Sequence, residues 1–242
     1  MEFINSKTYQ LLYLLDRFGI MKRKQILERL DITEKNLRIS LNKLEEMKFI
    51  KTYKEQRQYS HFITTKGSEF IGRLNFGYTQ SDKEPNFATL RHNLMMNDAS
   101  KEILEVLSKG NSRLQFELVT EREILANQYL GLEERYSGKN LRCEKAQIRN
   151  KIPDFRVEYE IDSQRVVLAY ELELTRKTKK ALVRKLQWYN DQLRHGKLSS
   201  VIYIYDDWGV YEHVALSAAK LFLPQQFRFY RFGSKGEQEN AE

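Results

Sequence analysis

The chain has 242 residues, 41% hydrophobic and 12% aromatic, which is enough for the core of one large domain or two small ones. Its 41 Lys/Arg against 33 Asp/Glu leave a net charge of +8, a balance that favours a polyanionic partner. The single Cys143 excludes an internal disulfide and a cysteine zinc motif, and no apolar run nears 18 residues, so a membrane span is excluded and a cytoplasmic protein without signal peptide is expected.

Ser6 is positioned to cap a first helix with Tyr9, Leu12, Leu15 and Phe18 apolar, and Gly19 ends it. A short helix follows with Ile26, Leu27 and Leu30 inward. Thr33 caps a third, about 34 to 47, whose buried stripe is Leu37, Leu41 and Leu44. Residues 49–53 and 59–64 read as the two strands of a hairpin, and a helix follows through Phe70, Ile71 and Leu74. Three helices and a hairpin give the order of a winged helix-turn-helix. Residues 1–80 hold 15 Lys/Arg against 9 Asp/Glu, so DNA is the expected partner of this domain. Lys35, Asn36, Arg38, Asn42 and Lys43 lie off the leucine stripe of the third helix and are the candidates for bases and phosphates. Lys54 and Arg57 sit at the hairpin tip, with Gln58 beside them.

The polar stretch 75–88 reads as a linker, which divides the chain into a domain at 1–75, a linker at 76–88, a second domain at 89–232 and a disordered tail at 233–242. In the second domain a helix runs from Thr89 to about Leu107, with His92 as a capping or core residue. A strand follows at 114–119, then a segment, 125–150, with a helical start, a polar, basic finish and no clear period throughout. Residues 154–161 and 166–174 form a hairpin across Asp162-Ser163-Gln164. Arg176 to Leu193 reads as a basic helix, and 201–205 as a buried strand. The expected class is α+β.

Chemistry concentrates in that hairpin. Alternate strand residues share a face, so Glu171 and Glu173 point the same way, and the hairpin folds Asp154 back toward them. Carboxylates at that density repel unless a cation lies between them, and oxygen ligands suit Mg²⁺ or Mn²⁺. Asp154 and Glu171 are the candidate ligands, with Glu173 a further ligand or the base that orients water. Glu121 would add a fourth carboxylate. The basic helix supplies charge for a phosphate through Arg176, Lys177 and Lys180. Lys185, four residues before Tyr189 on one stripe, is placed to reach back to the strand end.

Pro153-Asp154 with Glu171-x-Glu173 in the order αβββαβ resembles the PD-(D/E)xK nuclease superfamily, with Glu173 where the motif lysine usually stands and Lys185 as a migrated replacement. Adding the N-terminal winged helix, Leu90-Arg91-His92-Asn93, Thr120-Glu121-Arg122-Glu123 and Lys185-Leu186-x-x-Tyr189, the chain resembles the replication-relaxation proteins, and especially the C-type mobilisation relaxases of plasmids. That resemblance implies a restriction-endonuclease-like core and metal-dependent nicking of one strand at a transfer origin. It also implies an accessory mobilisation protein and a coupling ATPase as partners; a homodimer is compatible with it. Two rival readings are a non-catalytic initiator or regulator on an inactive nuclease fold, and a transposon-end endonuclease. Transposon-end enzymes commonly place the nuclease part first, whereas here the winged helix leads.

Overall fold

In a computed structural model, residues 5–55, 58–72, 87–149, 151–221 and 225–232 are described. The chain is a mixed α+β protein with two sheets, divided into two compact units: residues 1–98 with Leu125–Asn127, and residues 99–124 with 128–242. The expected linker, apart from residues 87 and 88, and the expected tail lie outside the described residues.

The first unit opens with α1 (Ser6–Phe18), β1 (Met21–Lys22), α2 (Arg23–Leu27) and α3 (Glu34–Glu46). Asn5, not Ser6, caps α1: its side chain accepts from the Thr8 amide at 2.8 Å. Gly19 takes φ 77° and its N–H returns to the Leu15 carbonyl, closing the helix as glycine can. Thr33 caps α3 by accepting from the Asn36 amide, and Leu37, Leu41 and Leu44 are buried beneath it. β2 (Ile50–Glu55) and β3 (Gln58–Ile63) pair antiparallel, and β1 adds a short third strand in the order β1-β3-β2. Two residues are too short to show a strand period, so β1 was not legible in advance. After α4 (Thr65–Phe70) the unit is completed by the start of α5 (Phe87–Gly110). Leu90 and Leu94 pack there with Ile20, Tyr53 and Phe62. Gln25 Nε2 donates to the Leu94 carbonyl and to Asp98, and Asn97 donates to the Ile20 carbonyl. The division between units therefore falls inside α5.

The second unit is built on a five-stranded sheet in the order β4-β5-β6-β7-β8. β4 (Glu117–Thr120) leads into α6 (Glu121–Glu133) and α7 (Gly138–Arg149), which fill the stretch that had no clear period. β5 (Phe155–Ile161) and β6 (Gln164–Glu173) form an antiparallel hairpin whose turn puts Asp162 and Ser163 at positive φ. α8 (Lys179–Arg194) crosses to β7 (Ser200–Tyr205), and α9 (Trp208–Ala219) to β8 (Phe227–Arg231), both strands parallel to β6. The odd-numbered residues Val167, Ala169, Val201, Tyr203, Tyr205, Phe227 and Phe229 form a core with Leu182, Leu186 and Tyr189 of α8 and Val210 and Val214 of α9. Phe155 and Tyr170 stack at 4.7 Å, and the Tyr230 hydroxyl donates to Glu102 of α5 at 2.6 Å.

Candidate functional site

Glu171 and Glu173 continue the odd-numbered parity of β6 to its carboxyl end, the end of the parallel strands β6, β7 and β8 where ligands commonly bind. The hydrogen bond from the Asp154 amide to the Tyr170 carbonyl brings Asp154 beside Glu171, just before β5 begins. All three are buried, at 9%, 1% and 4% exposure for Asp154, Glu171 and Glu173. Burying three carboxylates is costly unless each finds donors or counter-charge, so their partners decide what the site can do.

Asp154 Oδ2 accepts from the Leu172 amide at 2.7 Å, a bond that pins the carboxylate to the neighbouring strand. Glu171 Oε1 receives the Lys185 ammonium, whose Nζ also donates to the Ile152 carbonyl at 3.0 Å. Glu171 Oε2 accepts from the Tyr189 hydroxyl at 2.7 Å. Lys185 and Tyr189 lie one helical turn apart on α8, as their spacing predicts, and α8 brings both to the strand end. Lys177 Nζ stands 2.7 Å from Glu173 Oε2 and 3.4 Å from Glu171 Oε1.

Electrostatics follow this geometry. Burial raises the Glu173 carboxyl above its ordinary pKa; Lys177 opposes the shift, and Glu171 and Asp154 add to it. Burial works against the charge on Lys177, yet Glu171 and Glu173 outweigh it and hold the ammonium protonated. Tyr189 and Tyr203 are raised well above the usual tyrosine value, first by burial and then by Glu171. Tyr203 lies opposite Glu171 on β7, and its buried hydroxyl has no hydrogen-bond partner among the described residues. Glu173 Oε2 likewise makes an ion pair without an aligned hydrogen bond.

Whether these residues suit a divalent cation can be judged from the donors. Three carboxylates lie side by side; one of their oxygens, Glu173 Oε2, and the neighbouring buried Tyr203 hydroxyl have no aligned hydrogen bond among the described residues, and that donor set is of the hard-oxygen kind Mg²⁺ and Mn²⁺ prefer. As they stand, no three His, Cys, Asp or Glu side chains among the described residues are gathered closely enough to hold an ion, and lysine ammoniums occupy the carboxylates. The expected convergence of three acids on one point is therefore corrected to three neighbouring acids, two of which, Glu171 and Glu173, are bridged by Lys177.

Other expected residues are placed as follows. Glu121 is the first residue of α6, and its amide donates to the Asp154 carbonyl at 3.0 Å. Helix α8 begins at Lys179 and not at Arg176, because Thr178 caps it by accepting from the Ala181 amide. Arg176 thus lies in the loop before the helix, where its Nε donates to the Gly209 carbonyl, and Lys177 turns to the carboxylates. Lys180 is exposed. In the first unit, Lys35, Asn36, Arg38 and Asn42 are exposed on α3 and Lys43 is half-buried. Lys54 and Arg23 lie over the ring of the exposed Tyr59, at 5.7 and 5.3 Å. Arg57 lies outside the described residues. Sequence reasoning named Lys177 as a phosphate contact and not as a partner of Glu171 and Glu173, and it missed Tyr203, although the alternation of 201–205 carried the parity signal.

A two-sheet α+β protein with a buried carboxylate–lysine–tyrosine cluster at a strand end is the class these features define. The family model for replication-relaxation matches residues 12–201, and the chain belongs to that family. Membership points to a role in plasmid replication or relaxation. No curated protein and no solved structure matches the chain.

Proposed function

We propose that the chain is a metal-dependent DNA nickase of the C-type mobilisation relaxase kind, with a winged-helix first unit and a PD-(D/E)xK-like second unit. The observation that carries this reading is the burial of Asp154, Glu171 and Glu173 side by side with Lys185 hydrogen-bonded to Glu171. Lys185 stands where a lysine displaced from the strand onto the following helix would act. Asp154, Glu171 and Glu173 would hold Mg²⁺ or Mn²⁺, which when bound supplies an activated water and charge neutralisation at the phosphate.

The rest of the work falls to the chain's own groups. Lys185 offers positive charge toward a phosphate while its Ile152 contact fixes its reach. Tyr189 orients the Glu171 carboxylate. Tyr189 and Tyr203 are fully enclosed, which favours a route without a covalent tyrosine intermediate. Lys35, Asn36, Arg38 and Asn42 would read the groove, with Lys54 and Tyr59 against the backbone. The origin DNA, an accessory mobilisation protein and a coupling ATPase are the partners this reading proposes.

The test is conversion of supercoiled plasmid carrying the chain's native locus to open circles. Wild type should cut with Mg²⁺ or Mn²⁺, stop with EDTA, and lose activity in Asp154→Ala. DNA binding without cutting under any metal would overturn the reading. It would favour a non-catalytic initiator, the reading supported by the neutralisation of Glu171 and Glu173 by the chain's own lysines.

A further inference from the structure

Two lysines serve the carboxylate cluster, and they are held differently. Lys185 projects from the middle of α8, its side chain is 14% exposed, and it is fixed at two points, Glu171 and the Ile152 carbonyl. Lys177 stands in the irregular loop between β6 and α8, before the Thr178 cap, and its side chain is 36% exposed. Its ammonium bridges Glu171 Oε1 and Glu173 Oε2. Those carboxylates are 2% and 6% exposed as side chains, so the bridging cation is far more exposed than the anions it joins. The hydroxyl of the buried Tyr203 beside these acids and Glu173 Oε2 have no aligned hydrogen bond among the described residues, so the lysine leaves the polar atoms of the cluster incompletely satisfied.

We propose that Lys177 is a tethered counter-ion that occupies the cation position between Glu171 and Glu173, and that a divalent cation must displace it to bind. This rests on the metal reading of the same cluster. A position outside the helix makes displacement cheap in backbone terms, because no helical hydrogen bond breaks when the side chain swings into solvent. A unit positive charge in the ligand position opposes a dication, and the opposition ends when the charge is removed. Glu171 and Glu173 thus keep their counter-charge without metal, and affinity for the ion is lowered by the competition.

The experiment is Mn²⁺ titration of the full chain, followed by the paramagnetic resonance signal of free Mn²⁺, for wild type, Lys177→Gln and Lys177→Arg. Lys177→Gln should bind Mn²⁺ about tenfold more tightly than wild type, since a charge a few ångströms away is removed from a partly screened site. Lys177→Arg should bind as wild type does. Unchanged or weaker binding in Lys177→Gln, with wild type binding the ion, would overturn the displacement while leaving the metal reading intact. Absence of Mn²⁺ binding in every form would overturn both. On the unaltered chain, ¹³Cε-labelled lysine spectra give an independent reading: Mg²⁺ should move the Lys177 resonance, and an unmoved resonance at saturating Mg²⁺ contradicts the proposal.

Discussion

Tyr189→Phe isolates one atom of the carboxylate cluster. The ring is fully buried and the phenylalanine ring fills the same space, so the change removes only the hydroxyl that donates to Glu171 Oε2 at 2.7 Å. A hydrogen bond to an ionised group contributes about 1.5–3 kcal/mol, and here its loss leaves a buried carboxylate oxygen short of a donor. Glu171 keeps Lys185 and Lys177 on its other oxygen, which places the expected loss near 2 kcal/mol. At an m-value of about 2 kcal/mol/M this is a fall of roughly 1 M in the urea midpoint. Both tryptophans, Trp188 and Trp208, belong to the second unit, so tryptophan fluorescence follows that unit's unfolding. In a Glu171→Gln background the same change should cost only about 1 kcal/mol, because the acceptor is then neutral. An equal cost in both backgrounds, or a loss under about 0.5 kcal/mol in the first, would refute the argument that the hydroxyl serves the charge.

Three further outcomes are expected. His61 is buried, with Thr52 Oγ1 on Nδ1, and burial followed by the Arg23 charge lowers its pKa from 6.5 to about 4. The unfolded chain therefore binds the extra proton between these values, so first-unit stability is full above about pH 6.5 and falls as pH drops toward 4, by up to about 3 kcal/mol; a flat His61 ring resonance between about pH 8 and 5 by NMR would accompany it. Gly67→Ala would set a Cβ 2.2 Å from the Phe49 carbonyl oxygen, so the backbone must shift and the first unit should lose about 2–3 kcal/mol in chemical unfolding; a variant as stable as wild type would contradict the packing. Lys35→Ala and Arg38→Ala should each weaken binding to a duplex from the native locus and lower the slope of log affinity against log salt by about 1, whereas unchanged slopes would move the DNA contact off α3.

Much of the first unit could be read in the sequence because its signals are local. Gly19 and Thr33 mark helix ends, and Leu37, Leu41 and Leu44 keep one helical stripe. In the second unit the 155–173 hairpin was legible from alternation, and with it the shared face of Glu171 and Glu173. Helix α6 was read only as a helical start near residue 125, although Thr120 and Glu123 form a capping box whose spacing is visible in the chain. Its apolar residues serve more than one face, which blurs the period. α9 was hidden for a similar reason, being apolar nearly all round, and β8 because its pairing with β7 depends on residues distant in sequence. Lys177 was misplaced because continuous basic composition ran the helix two residues past its cap, and only the Thr178 cap separates a helical lysine from one turned to the carboxylates.

The measurement that bears most directly on the central claim is single-turnover nicking by wild type and Asp154→Asn on the same supercoiled plasmid across a Mn²⁺ series. Asn keeps the size of the side chain and an acceptor for the Leu172 amide, so equal tryptophan-detected unfolding would certify an intact second unit. The account predicts metal-dependent open circles with wild type and a loss of at least about a hundredfold with Asp154→Asn, the scale at which removal of a key catalytic group registers. Equal cutting by the two forms, or cutting that survives EDTA, would contradict it.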